Sequence, residues 1–171
     1  MADDATAAAV AGARWQALTN GHYHSQRESF VGLIDRLLTF AMLVSGAGAV
    51  TTELGKASIS WLAIAVTVFA AAQLVFAIGP TARNHAVMRE KYFSIAADLE
   101  AQKLVSSLAM SEMLRFAGQE GPIYHAVHAL SENWGKCAVY GEGAGGLCKV
   151  SLPRRFLRHV WRQSAHDFHC D

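Results

Sequence analysis

The residues best placed to do chemistry form a polar stripe. Asp35, Thr39, Met42, Gly46, Ala49 and Glu53 follow one another at steps of four, three, four, three and four. On a helix this spacing puts them on one face, and Asp35 and Glu53 stand five turns apart. A stripe acidic at both ends and small or mildly polar between suits a narrow cation path when several copies face one another. The same spacing suits plain packing. Gly46, Gly48 and Ala49 are small enough to let helices approach closely, with the acids left at the two ends. The residues alone leave both readings open. Thr67 and Gln73 lie in a second apolar run, where a polar group needs a partner, and hydrogen bonds across helices are expected of them.

Other reactive types are present but scattered. His125 and His128 are three apart, and His166, His169 and Cys170 cluster at the end. A zinc site needs three or four rigidly held ligands, and a chain end usually frays. Surface histidines are therefore expected, with no metal and no cofactor. Cys137, Cys148 and Cys170 are odd in number and include no CxxC pair. They predict no disulfide framework and fit a reducing, cytosolic setting. No GxSxG, HExxH, phosphate loop or dinucleotide fingerprint occurs. No catalytic residue is assigned, and a non-enzymatic protein is expected. Lys149, Arg154, Arg155, Arg158 and Arg162 carry five positive charges with no acid among them, interleaved with Phe156, Leu157, Val160 and Trp161. Such a segment suits an anionic leaflet or packs on the acidic region from Asp98 to Glu120.

The elements that must position these residues follow from composition. Of 171 residues 52% are hydrophobic and 17% charged, with a formal net charge of +1. Charge is scarce compared with the roughly 25% of soluble domains. A near-zero net charge argues against a nucleic-acid partner. Residues 59–78, ISWLAIAVTVFAAAQLVFAI, hold no charge. As a helix they rise about 30 Å, the thickness of a hydrocarbon core. A shorter apolar run, LLTFAMLVSGAGAVTT, precedes them.

The two runs predict an all-α membrane protein. Its parts are an N-terminal helical segment (1–24), a transmembrane hairpin (25–80, spans about 34–52 and 59–78), a cytosolic helical region (81–140), and a Gly-rich loop with a basic C-terminal segment (141–171). Arg27, Arg36, Arg83, Arg89 and Lys91 flank the hairpin, and only Lys56 lies within it. That asymmetry places both termini in the cytoplasm. Met88, Tyr92, Ile95 and Leu99 recur at helical spacing and predict an amphipathic helix after Gly79-Pro80.

Residues 22–40, HYHSQRESFVGLIDRLLTF, with Tyr23, His24, Ser25, Arg27 and Phe30, open a pattern that continues through two spans to RNHAVMREKY and QEGPIYHAVHALSEN. The order resembles the SLATT family of two-transmembrane domains and its phage and prophage relatives, over roughly residues 22–140. Arg27, Glu120, Pro122, Tyr124 and Asn133 match that family's motif positions. A second acidic residue often found before the Pro-Tyr segment is replaced here by Gly118-Gln119. Two helices cannot enclose a water path, so conduction requires a homo-oligomeric ring, and the resemblance implies a membrane effector of a prokaryote. It implies a pore-forming or membrane-perturbing role in phage conflict, switched by a sensor protein, or else exclusion or counter-defence without a pore.

Overall fold

Helix dominates the computed structural model, which describes residues 2–52, 59–162, 168 and 170. Six helices follow in order: α1 (Ala2–Thr52), α2 (Ile59–Val75), α3 (Ile78–Glu100), α4 (Ser106–Ala117), α5 (His125–Tyr140) and α6 (Leu152–Phe156). No strand occurs among the described residues beyond a single antiparallel bridge, Cys148 to Cys170.

The first helix is longer than its parts suggest. The chain's three prolines all lie at position 80 or later, so nothing in the first 52 residues removes a backbone donor. The Ala-rich start, the residues before the first apolar run and the run itself therefore fuse into one helix of 51 residues. Gly21 is needed in it, because a Cβ there would meet the Phe93 ring at 3.0 Å. Helices α2 and α3 are separated by two residues, Phe76 and Ala77, the second of them left-handed at φ 45°. Pro80 then sits in the first turn of α3, where its missing N–H costs nothing. At the far end of α3, Gln102 adopts φ 55°, and Lys103 N–H reaches back to the Asp98 carbonyl at 2.9 Å. This is the Schellman stop, made here without glycine.

Contacts divide the chain into two compact units, Met1–Arg27 with His85–Asp171, and Glu28–Asn84. The first unit is discontinuous in sequence. Its core joins Ala13 and Ala17 of α1 to Tyr92, Ile95, Ala96 and Leu99 of α3 and to Ala109 and Met113 of α4. The expected apolar stripe of α3 is therefore its buried face, with Met88 packed against the same cluster. Helix α5 comes close to α1 at Gly135, where a Cβ would lie 2.4 Å from Thr19 Oγ1.

The second unit is built the other way round. Leu37, Phe40, Leu43, Trp61, Leu74 and Phe76 are all more than half exposed. In the most apolar eighteen-residue window of the α2–α3 run no residue is buried, and in that of α1 only 6% are. Both helices are long and apolar enough to cross a membrane. Exposed apolar area on this scale is costly in water, at about 25 cal/mol per Å².

Candidate functional site

Three elements of the first unit converge on one carboxylate. Tyr23, His24 and Arg27 lie on consecutive turns of α1. His85 and Tyr92 lie two turns apart on one face of α3. Residues 118–124, broken by Pro122, bring Glu120 in from the end of α4. The Tyr92 hydroxyl donates to Glu120 Oε1, and His24 Nε2 stands 3.3 Å from the same oxygen. The other nitrogen of that ring, His24 Nδ1, is 2.8 Å from His85 Nδ1. The His24 ring stacks on Tyr92, 5.6 Å between centroids at 11°. Around this line the Tyr124 N–H donates to the Tyr23 hydroxyl at 3.2 Å, and the Arg27 guanidinium lies 3.7 Å over the Tyr124 ring.

The 2.8 Å contact between the two Nδ1 atoms needs a proton on one ring and a lone pair on the other. The Tyr92 hydroxyl points its proton at the Glu120 carboxylate, beside which His24 Nε2 also stands. Burial alone would raise the Glu120 pKa, but the bonds from His24 and Tyr92 and the nearby His24 and His128 charges outweigh it and lower it. Burial, then the bond to Glu120 and its charge, raise the Tyr92 hydroxyl far above its ordinary value. Burial, with the charges of His24 and Arg27, depresses His85 to about 4. His128, on α5, is lowered chiefly by burial. The cluster thus keeps a carboxylate charged beside two histidines in contact.

The expectation of surface histidines fails here. His24 is 2% exposed, and His22 stacks on Trp134 at 4.4 Å and pairs with Ser131. Helical packing brings together rings far apart in sequence, so no local spacing marks them. His166 and His169 lie outside the described residues. The expectation of unbridged cysteines also fails. Cys148 and Cys170 are joined by a disulfide, and Cys137 is free. The antiparallel bridge puts the two residues face to face. Asn133 fixes Cys148 by two bonds, donating to its carbonyl at 2.8 Å and accepting from its N–H at 2.6 Å. Glu132 approaches the same sulfurs, the three side chains offering ligand atoms within 4.8 Å of one another.

Of the motif residues, Arg27, Glu120 and Tyr124 belong to the buried cluster. Pro122 is exposed at the turn before α5, and Asn133 serves the cysteine pair. Glu120 pairs with Tyr92 and not with Tyr124.

In the second unit, Gln73 Nε2 of α2 donates to Thr39 Oγ1 at 3.0 Å, to the Asp35 carbonyl at 3.1 Å and to Asp35 Oδ1 at 3.2 Å. Two residues of the acidic stripe thus bond the glutamine of the second apolar helix. Thr67 departs from expectation. Its hydroxyl bonds the Ala63 carbonyl of its own helix at 2.9 Å, since a threonine reaches the carbonyl four residues back without a partner helix. Met42 and Gly46 follow on α1, and a Cβ at Gly46 would meet nothing within 4 Å. The side chain of Ala49 and all of Glu53 lie outside the described residues. Among the basic residues, Arg155 and Arg162 are exposed, Arg158 bonds His159 at 3.0 Å, and Arg154 lies 5.5 Å over the Phe168 ring. Comparison with family models, with curated proteins and with solved structures finds no match to this chain.

Proposed function

We propose that the chain is a two-span inner-membrane protein of a prokaryote that assembles into a homo-oligomer and perturbs or perforates the bilayer in phage conflict. The observation that carries the membrane part is the exposed apolar surface of α1 and of the α2–α3 run, which only lipid or other copies would cover. The chain before the first span and the chain after the second fold into one unit, which supports a hairpin with both termini on the same side. The excess of Arg and Lys around the hairpin argues for the cytoplasmic side. Gly46, with open space at its Cβ position, supports close approach by a helix of another copy. The pore role rests on the SLATT resemblance and on the acidic stripe. Planar-bilayer recording of the purified protein tests it: cation currents that change preference in Asp35→Asn and Glu53→Gln support the pore, and a silent bilayer with intact oligomer rejects it.

A second reading is a membrane-anchored exclusion or counter-defence protein without a pore. It is favoured by the bonds that Gln73 makes to Asp35 and Thr39, which spend the stripe's first two polar residues on pairing within one chain. Dye-loaded liposomes separate the readings, since an anchor leaks nothing.

A further inference from the structure

We propose that Glu132, Cys148 and Cys170 form a zinc site, closed while the two cysteines are bridged and opened when a thiol reduces them. All three residues belong to the first unit, so the membrane reading can fail and leave the site standing. Helix α5 builds its fixed half. Asn133 donates to the Cys148 carbonyl at 2.8 Å and accepts from its N–H at 2.6 Å. Lys136 donates to the Gly146 carbonyl and lies 3.5 Å from Glu132 Oε1. Cys148 is thereby held against α5, 4% exposed, whereas Cys170 is exposed. Glu132 turns its other oxygen, Oε2, to Cys148 Sγ at 3.7 Å. In the bridged state that sulfur has no proton to give. A partly buried carboxylate therefore faces an acceptor, where an S–H group or a cation would serve it.

Distance, charge and ligand type all select zinc. The three ligand atoms lie within 4.8 Å of one another. Zinc bonds of about 2.3 Å to sulfur and about 2.1 Å to oxygen set tetrahedral ligand atoms about 3.6–3.8 Å apart. The pair of Cys148 sulfur and Glu132 oxygen already has that spacing. Only the two sulfurs must part, and the exposed Cys170 can turn to part them. Two thiolates and a carboxylate balance a divalent ion together with the Lys136 ammonium beside Glu132. Two sulfurs and one oxygen favour zinc over magnesium or calcium, and water takes the fourth position. The chemistry balances. Two molecules of a small monothiol reduce the bridge, become a disulfide themselves and leave two S–H groups, whose protons zinc then displaces. A reducing compartment thus opens the site and an oxidising one closes it.

The test uses the full chain in detergent, reduced with a phosphine or left bridged, with Zn2+ and Co2+ as the probes. The reduced protein should bind one metal per chain. Cobalt in it should show sulfur-to-metal charge-transfer absorption, and zinc should raise its Tm. The bridged protein should show neither the absorption nor the shift. Cys170→Ser, at the exposed ligand, should halve the charge-transfer absorption. Glu132→Gln should keep the absorption and weaken zinc by more than the roughly tenfold that losing an outer-shell partner costs. Cys137→Ser should match the wild type throughout. Zinc uptake equal in reduced and bridged protein puts the metal on other groups and overturns the site. Uptake unchanged in Cys170→Ser or Glu132→Gln, or no charge-transfer absorption in the reduced wild type, overturns it too. If reduction alone loosens the first unit, zinc should restore the helical circular dichroism, and failure to restore it also overturns the site.

Discussion

The Nδ1 atoms of His24 and His85 lie 2.8 Å apart, so one ring must offer a proton and the other a lone pair. Both cannot be imidazolium at that distance. Acid therefore acts on this contact directly. Unfolded, His85 takes its proton near the ordinary 6.5; folded, burial, His24 and Arg27 hold it at about 4, against Glu120. The folded state thus resists a proton that the unfolded state accepts. Stability is complete above pH 6.5 and declines as pH falls from there toward 4. His159, likewise held at about 4 by burial and by the charges of Arg158 and Arg27, adds to the decline. Thermal denaturation between pH 7.5 and 5 should show a falling Tm. In His85→Asn, whose amide can still bond His24 Nδ1 but does not titrate, the slope should be visibly shallower; an unchanged slope would show that this pair is not the sensor.

Glu120→Gln should destabilise the first unit. It removes the charge toward which Tyr92 and His24 point, and it turns an amide donor on one of them. Leaving a buried polar group unpaired costs about 1–3 kcal/mol. Tyr92→Phe removes one donor and leaves His24 in place, so a smaller loss is expected. Denaturant titration of the three proteins in detergent orders them as wild type, Tyr92→Phe, Glu120→Gln.

Gly135→Ala should cost about 1–3 kcal/mol through overpacking. The added methyl would meet Thr19 Oγ1 at 2.4 Å, Trp15 Cδ1 at 3.2 Å and Thr19 N at 3.3 Å. Combining it with Thr19→Ala removes the worst clash and should recover part of the loss. A double-mutant cycle measures this coupling, and additive losses would refute the contact.

Thiol counting checks the bridge. Unreduced and denatured, each chain should take up one maleimide, at Cys137, and three after reduction. Because disulfides persist in oxidising compartments, the same count on intact cells lysed in maleimide also reports on the side of the membrane. One thiol per chain before reduction in cells would put the first unit outside the reducing cytosol and overturn the cytoplasmic side proposed above; three, with the bridge closing only after lysis, would keep it.

Gln73→Leu should loosen α1 from α2. Each interhelical bond of this kind is worth about 0.6 kcal/mol, and Gln73 supplies bonds to Thr39 and Asp35 together. Faster proteolysis or a lower Tm in detergent is expected, with the first unit unaffected.

The membrane-length helices were legible because twenty uncharged residues in a row leave few alternatives, and the buried face of α3 because Tyr92, Ile95 and Leu99 keep helical period. Length was harder. Gly12, Gly21 and Gly32 look like interruptions, yet without proline the helix runs through all of them. The buried cluster was half legible: Arg27, Glu120 and Tyr124 stood out as motif positions, and His24 lay in the same pattern, whereas nothing tied it to His85, 61 residues away, before packing joined them. The cysteine bridge was hidden for a similar reason. Spacing says nothing about which residues an antiparallel bridge sets opposite each other.

The first unit joins residues 1–27 to residues 85–171, and that imposes a timetable on synthesis. When residues 1–27 emerge from the ribosome, Ala13, Ala17, Tyr23 and His24 have nothing to pack on. Their partners begin at His85, and the bond from Trp15 to the Glu132 carbonyl waits for a residue 117 positions later. The apolar stretches of residues 28–84 are translated in between, so they must find their surroundings first. A nascent chain stalled after residue 84 would carry its first 27 residues as an open arm, within reach of chaperones and proteases. Emergence of α3, α4 and α5 closes the unit around the carboxylate of Glu120.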